Sequence, residues 1–326
     1  MDTFMKLFTK FILLALPLIL LSAFCLKEPM AYMSVEYPMW AEEKDAVRNL
    51  SFEKEPETVI IGDSRAKSSL IPEYLSHEEK VYNIAIGGAT PVEMYHAAGN
   101  YLKSHEAPEN AVLIFAPYHF CDMDNWDQTL YYNYLSPGEI LAVEADAIKY
   151  GEDKMIYNGW IADLLSFRLR LPNKYLDQVY TARFVKNRAA NEEKYRELRQ
   201  ALGYTHFGEE EMNAELNYET HHPEFDLSPM VDAYYIKLLD SLRDAGVNII
   251  IEQAPVNEAS GQEITEEFKK GYREYMDSME SRYPGSFVEK EIPVYDNSFF
   301  GDNNHLNRRG AEKFSKEIGD KHSGIF

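Results

Sequence analysis

Short apolar, β-branched runs alternate with helical segments along much of this chain, and that alternation narrows the fold to one class. Residues 57–66 read ETVIIGDSRA, a buried-strand pattern stopped at Gly62. VYNIAIGGA (81–89) is a second such run, AVLIFAP (111–117) a third and VNIIIEQAP (247–255) a fourth. A short extended piece from Phe287 to Val294 is a candidate fifth. Helical segments separate them: residues 91–103 with Thr90 as cap and Pro91 in the first turn, 228–246 with Ser228 as cap and Pro229 after it, 262–282, and 307–320. Strands alternating with helices predict an α/β fold with a parallel sheet covered on both faces. The pattern breaks over about 120–226, which is aromatic and charged, so a large insertion is expected after the third strand.

The N-terminus sets the location. Residues 11–26, FILLALPLILLSAFCL, are uncharged, and about twenty such residues span a bilayer. Lys6 and Lys10 precede the run, so the N-terminus is expected inside and the remainder outside. No small-x-small cleavage site follows, and bulky Phe24 argues against lipidation of Cys25. Residues 1–27 therefore read as an uncleaved anchor, ahead of a cleaved signal peptide or a buried core helix. Residues 28–56, polar and mixed, are expected to form a stalk, and 57–326 the folded domain.

The net charge of −21 excludes a nucleic-acid partner, because phosphate binding needs a basic surface. Cys25 lies in the apolar segment and Cys121 beyond the third strand, so no disulfide framework and no Cys/His metal spacing is present. No metal and no cofactor is expected.

Parallel sheets place their sites beyond the carboxyl ends of the strands. There the chain has Gly62-Asp63-Ser64, Gly87-Gly88, Pro117-Tyr118-His119 and, near its end, Gly301-Asp302-Asn303-Asn304-His305. A serine hydroxyl needs a base to act as a nucleophile, and an imidazole needs a carboxylate to fix its tautomer. Ser64, His305 and Asp302 supply these three parts. The three-residue spacing of Asp302 and His305 puts both on one side of a helical turn. Backbone N–H groups of Ser64 and of Gly88 or Gly87 suit an oxyanion. The reading GDSRA also approaches the nucleophile elbow of α/β-hydrolases, but that fold carries its nucleophile mid-chain, and Ser64 follows the first strand.

In order and spacing these blocks resemble the SGNH (GDSL-like) hydrolases. The resemblance implies a flavodoxin-like three-layer α/β/α sandwich with Ser64, Asp302 and His305 as catalytic triad. The family's third block usually supplies an Asn donor. This chain has APYHF there, so Tyr118, His119 and Asn125 are the candidates to replace it. With its single N-terminal anchor, the plan is similar to membrane-anchored branches that serve surface-polysaccharide O-acetylation or teichoic acid D-alanylation in bacteria. That implies acyl transfer, O-acetyl foremost, to or from a surface glycan or glycopolymer outside the membrane, with a multi-pass membrane O-acyltransferase as partner. A simple carbohydrate esterase and a non-catalytic glycan-binding or scaffold module are the alternatives.

Asp63, Arg65 and Trp126 are further candidates to line the substrate, although an ion pair on the helix face accounts equally for Arg65. The aromatics Trp126, Tyr131, Tyr132, Tyr134 and Trp160 suit either sugar stacking or a core. His221-His222 with Glu224 and Asp226 read as a solvated loop before they read as metal ligands. Residues 168–199 carry nine Arg and Lys against four acids. That balance fits a solvated helix or a face toward an anionic polymer, a membrane or a partner.

Overall fold

The computed structural model describes residues 2–27, 30, 33–52, 54–75, 80–123, 126–152 and 184–326. Asn125, Trp160 and the basic residues of 168–183 lie outside the described residues.

Five strands form one parallel sheet: β1 (Thr58–Gly62), β2 (Val81–Asn83), β3 (Asn110–Ile114), β4 (Asn248–Ile251) and β6 (Phe287–Val288). Their order is β2-β1-β3-β4-β6, with every pairing parallel. This is the flavodoxin-like arrangement, whose strand order reverses between β1 and β3. Two short strands, β5 (Val256–Asn257) and β7 (Val294–Tyr295), pair separately.

Alternate residues of each strand point to opposite faces, so a sheet covered twice needs apolar residues at every position. Val59, Ile61, Leu113, Ile249 and Ile251 enter one core, and Ile60, Val112, Ile114 and Ile250 enter the other. The first core is closed by α4 (Pro91–Ser104), α5 (Pro137–Tyr150), α7 (Pro229–Asp244) and α8 (Glu266–Arg282). The second is closed by α3 (Ser64–Ser69) and by α9 (Arg308–Lys321), which contributes Ala311, Phe314 and Ile318. The result is a three-layer α/β/α sandwich. The expected caps are present: Thr90 forms a capping box with Glu93, and Ser228 Oγ accepts the Val231 N–H at 3.2 Å.

Helix α1 (Asp2–Lys27) contains Thr3–Leu21, long and apolar enough to cross a membrane, and none of that window is buried against the rest of the chain. It suits a signal anchor or a signal peptide.

The structure departs from the expected stalk over 28–56. Residues 37–48 form helix α2 (Tyr37–Arg48), which packs on α4 and on α6 (Phe184–Gln200). Trp40 is buried between Tyr132 and Tyr134, with ring centroids 5.3 and 5.5 Å away. The charged look of α2 misleads because two of its acids are inside. Glu42 accepts from Tyr82 Oη and lies 3.8 Å from Lys67 Nζ, while Glu43 accepts from Tyr134 Oη at 2.8 Å. Burial pushes the Glu43 carboxyl up to about 8, against the opposing pull of Tyr134 and Lys67. The chain between α1 and α2 is held by Asn191 of α6, whose Nδ2 donates to Met30 O at 2.8 Å and Ser34 O at 3.2 Å.

Trp126, Tyr131, Tyr132 and Tyr134 are all buried in the first cluster. The exposed Arg188 and Arg196 on α6 pair with Glu192 and Glu193 of the same helix, as a solvated face does.

Two outcomes test the place of α2. Trp40→Ala should cost about 3–5 kcal/mol in urea unfolding of the full chain, whereas a stalk tryptophan would cost nothing. Glu43 holds its proton more tightly folded than unfolded. Its contribution to stability is therefore complete below about 4.5 and is lost as pH rises to about 8. Stability measured across that window should fall less in Glu43→Gln than in the parent.

Candidate functional site

The site is built on the turn that ends β1. Gly62 has φ +152, and a Cβ at this position would overlap the carbonyl oxygen of Ile114 on β3. Only glycine lets the two strands lie side by side where the chain turns into α3. The next residue, Asp63, has no exposed surface. Its Oδ1 accepts the Arg65 N–H at 2.8 Å, capping α3, and its Oδ2 accepts the Ala116 N–H at 2.6 Å. His119 Nδ1 lies 2.6 Å from the same Oδ2, and against a carboxylate it must donate. Burial opposes ionisation of Asp63, but the His119 hydrogen bond and charge, the Ala116 N–H and Arg65 prevail and hold its pKa below the usual value.

Ser64 is thus the first residue of α3, at the β1/β3 switch point of the sheet. Its Oγ is 2.7 Å from His305 Nε2, and His305 Nδ1 is 2.8 and 3.0 Å from the two oxygens of Asp302. Nδ1–H donates to the carboxylate, which points Nε2 at the serine hydroxyl. Burial raises the Asp302 pKa, yet the His305 hydrogen bond and charge and the backbone N–H groups of Asn304 and His305 outweigh it and keep Asp302 below its ordinary range. Asp302 and His305 do not share a helical turn. They sit in a loop before α9, closed on itself because Asp302 Oδ1 accepts the N–H groups of Asn304 at 2.8 Å and His305 at 2.7 Å. The spacing brings them together through this side-chain turn, of the kind Asp favours.

A strap from the end of the insertion, residues 203–222, holds this loop. Gly208 lies against Gly301 so closely that a Cβ on either would overlap the other's backbone, and the Glu210 N–H donates to Gly301 O at 3.1 Å. The Phe207 ring lies 4.9 Å from the His305 ring, and Asn303 Nδ2 donates to Leu216 O at 3.2 Å. Arg65 Nη2 donates to Glu219 Oε2 at 2.7 Å and to Asn304 Oδ1 at 3.1 Å, so one buried cation joins the serine helix, the strap and the His305 loop. Glu219, Asn304 and Phe207 were not singled out by sequence. For Asn304 a signal existed, its place between Asp302 and His305. Glu219 lies 154 residues from Arg65 in an aperiodic segment and gave none.

The other candidates fall in two groups. Asp63, Arg65, Tyr118, His119 and Trp126 are all buried. Tyr118 packs between Arg65, whose Cζ is 5.9 Å from its ring, and Tyr218, 5.3 Å away. His119 engages Asp63 through Nδ1. Gly87 and Gly88 follow Ile86, whose N–H donates to Gly62 O at 3.1 Å, which sets their loop beside the serine turn. The Gly87 N–H faces Met39 Sδ at 3.4 Å, which leaves Gly88 as the better oxyanion donor of the two. His221 ends a short 3-10 turn and His222 lies 3.7 Å from Asp122; among the described residues no acidic, His or Cys group has the arrangement of a metal site.

No family model and no curated protein sequence matches this chain. Comparison with solved structures finds one from Streptococcus pneumonia, provisionally assigned as a platelet activating factor. It shares 11% identity over 96% of this chain and 99% of its own, with a TM-score of 0.38. A likeness this weak carries no argument about activity, and the description of the site rests on the chain's own geometry.

Arg65 and Glu219 provide a stability test. Arg65→Ala leaves a buried carboxylate unpaired and should cost about 3–5 kcal/mol in urea unfolding. Arg65→Met combined with Glu219→Leu removes both charges and should recover most of that loss.

Proposed function

We propose that this chain is a serine-dependent esterase or O-acyltransferase. It acts through an acyl-enzyme on Ser64, on the outer side of a bacterial membrane that α1 tethers it to. The observation that carries the reading is the unbroken hydrogen-bond line from Ser64 Oγ through His305 to Asp302, with distances of 2.7 and 2.8 Å.

Each step uses a group already described. Ser64 Oγ attacks the carbonyl carbon of an ester while His305 Nε2 takes the hydroxyl proton. The carbonyl π pair moves to oxygen, and the N–H groups of Ser64 and Gly88 receive the oxyanion, each such donor being worth about 3 kcal/mol. Asp302, ionised and fixed by two backbone N–H groups, stabilises the imidazolium. Collapse of the intermediate breaks the ester C–O bond, and the departing oxygen takes the proton back from His305. The acyl group stays on Ser64. A second hydroxyl then gives its proton to His305 and attacks the acyl carbon, releasing Ser64. That hydroxyl belongs to a surface glycan in a transferase and to water in an esterase.

The acceptor assignment rests on the SGNH resemblance and on the apolar N-terminal helix, which would hold the site near the bilayer. The same resemblance supplies the acetyl group as acyl and a multi-pass membrane O-acyltransferase as donor-side partner.

The test uses the full chain in detergent with an aryl acetate. Ser64→Ala should lower kcat/KM about 10^4-fold or more, the scale of losing a triad nucleophile. Adding acetyl-free glycan should divert acetyl from water to sugar in a transferase and leave the acetate yield unchanged in an esterase. Turnover that survives Ser64→Ala would overturn the reading.

A further inference from the structure

Of the insertion aromatics that suited either a sugar or a core, Trp126, Tyr131, Tyr132 and Tyr134 are buried, and the structure offers a different ring. Outside α1, the exposed aromatic side chains among the described residues are Tyr218, 45% exposed, and Phe287, 36% exposed. Phe287 lies on the edge strand β6, packed on His322, away from Ser64. Tyr218 is on the strap, beside the His305 loop. Two residues before it, Leu216 O holds Asn303; one residue after it, Glu219 holds Arg65. Its ring is braced from beneath by Tyr118 at 5.3 Å and flanked by His221 at 5.9 Å. An exposed tyrosine costs little when it stands alone. This one is fixed from both sides and opens to solvent on the strap that holds Asn303 and Arg65, as a preorganised contact does.

We infer that Tyr218 is the platform for a pyranose ring of the substrate, stacking on the ring's C–H face while the sugar hydroxyls reach the polar groups of the loop. This deepens the acyl-transfer reading above and rests on it. A pyranose has one apolar face rimmed by hydroxyls, and the surroundings match that division. The exposed apolar surface is a single ring, with Leu216, also 45% exposed, two residues before it on the strap. Around it stand Asn303, held by its amide to the strap, and the exposed His221. An alkyl chain is better served by an enclosed apolar channel, and Tyr218 lies open on the surface.

The experiment has a catalytic and a binding arm, both on the full chain in detergent. In the first, kcat/KM for an acetylated pyranose oligomer is compared with that for an aryl acetate. Tyr218→Ala should lower the ratio roughly tenfold through KM, and Tyr218→Phe, which keeps the ring, should restore it. In the second, saturation transfer from aromatic protons to cellotetraose and to the N-acetylglucosamine tetramer is recorded on Ser64→Ala. The transfer should vanish when Tyr218→Ala is added and persist with Tyr218→Phe.

Loss of the transfer without any ester turnover in the parent would sink the Ser64 reading and leave the platform standing. The platform itself is overturned if neither oligomer binds, or if binding is equal in all three variants. It is also overturned if Tyr218→Ala lowers kcat for both esters alike, or if it impairs a decanoyl aryl ester more than the saccharide ester.

Discussion

A carboxylate without any exposed surface ties the site together. Asp63 receives three hydrogen bonds, from the N–H of Arg65 in α3, the N–H of Ala116 beyond β3, and the ring of His119. An ionised carboxylate inside a protein is costly unless its oxygens are fully engaged. Here that requirement works as a positioning device, because satisfying Asp63 fixes the start of α3 relative to the end of β3. Ser64 is the next residue, so its hydroxyl is set by the same bonds. The arrangement needs Gly62 just before it, since any side chain would force β1 and β3 apart at the point where Asp63 must reach across.

The second half of the site is held from the other direction. The His305 loop is irregular and closes on itself through Asp302 and a bridge between Phe300 and Leu306. The strap at 203–222 supplies a glycine-on-glycine contact at Gly208 and Gly301, a ring against His305 and a carbonyl for Asn303. Arg65 then couples the halves, binding Glu219 of the strap and Asn304 of the loop from the helix that carries Ser64. Its guanidinium suits this because it offers several donors in a fixed fork and stays charged when buried. The end of the long insertion, residues 203–222, thus holds the two halves of the site together.

Much of this was legible in the sequence because burial on both faces leaves a strong mark. The runs at 59–61, 112–114 and 249–251 could belong only to central strands, and that located Ser64 at a strand end. Asp302 and His305 were legible as a pair by spacing, although the turn that joins them is a side-chain turn and not a helical one. Helix α2 was misread as a stalk because Glu42 and Glu43 look solvent-bound until Tyr82 and Tyr134, distant in sequence, are seen to bind them. The aromatics Trp126, Tyr131, Tyr132 and Tyr134 were ambiguous because composition alone does not separate a core ring from a stacking ring. Tyr218 had no periodic pattern around it, and its exposure depends on the path of an irregular strap.

In the proposed reaction His305 makes Ser64 nucleophilic. The most direct measurement is the mass of the full chain, and of its peptides, after treatment with a serine-reactive phosphonate probe. A single adduct on Ser64 is expected, forming far more slowly in His305→Ala. An adduct elsewhere, no adduct on folded protein, or equal labelling with and without His305 would contradict it.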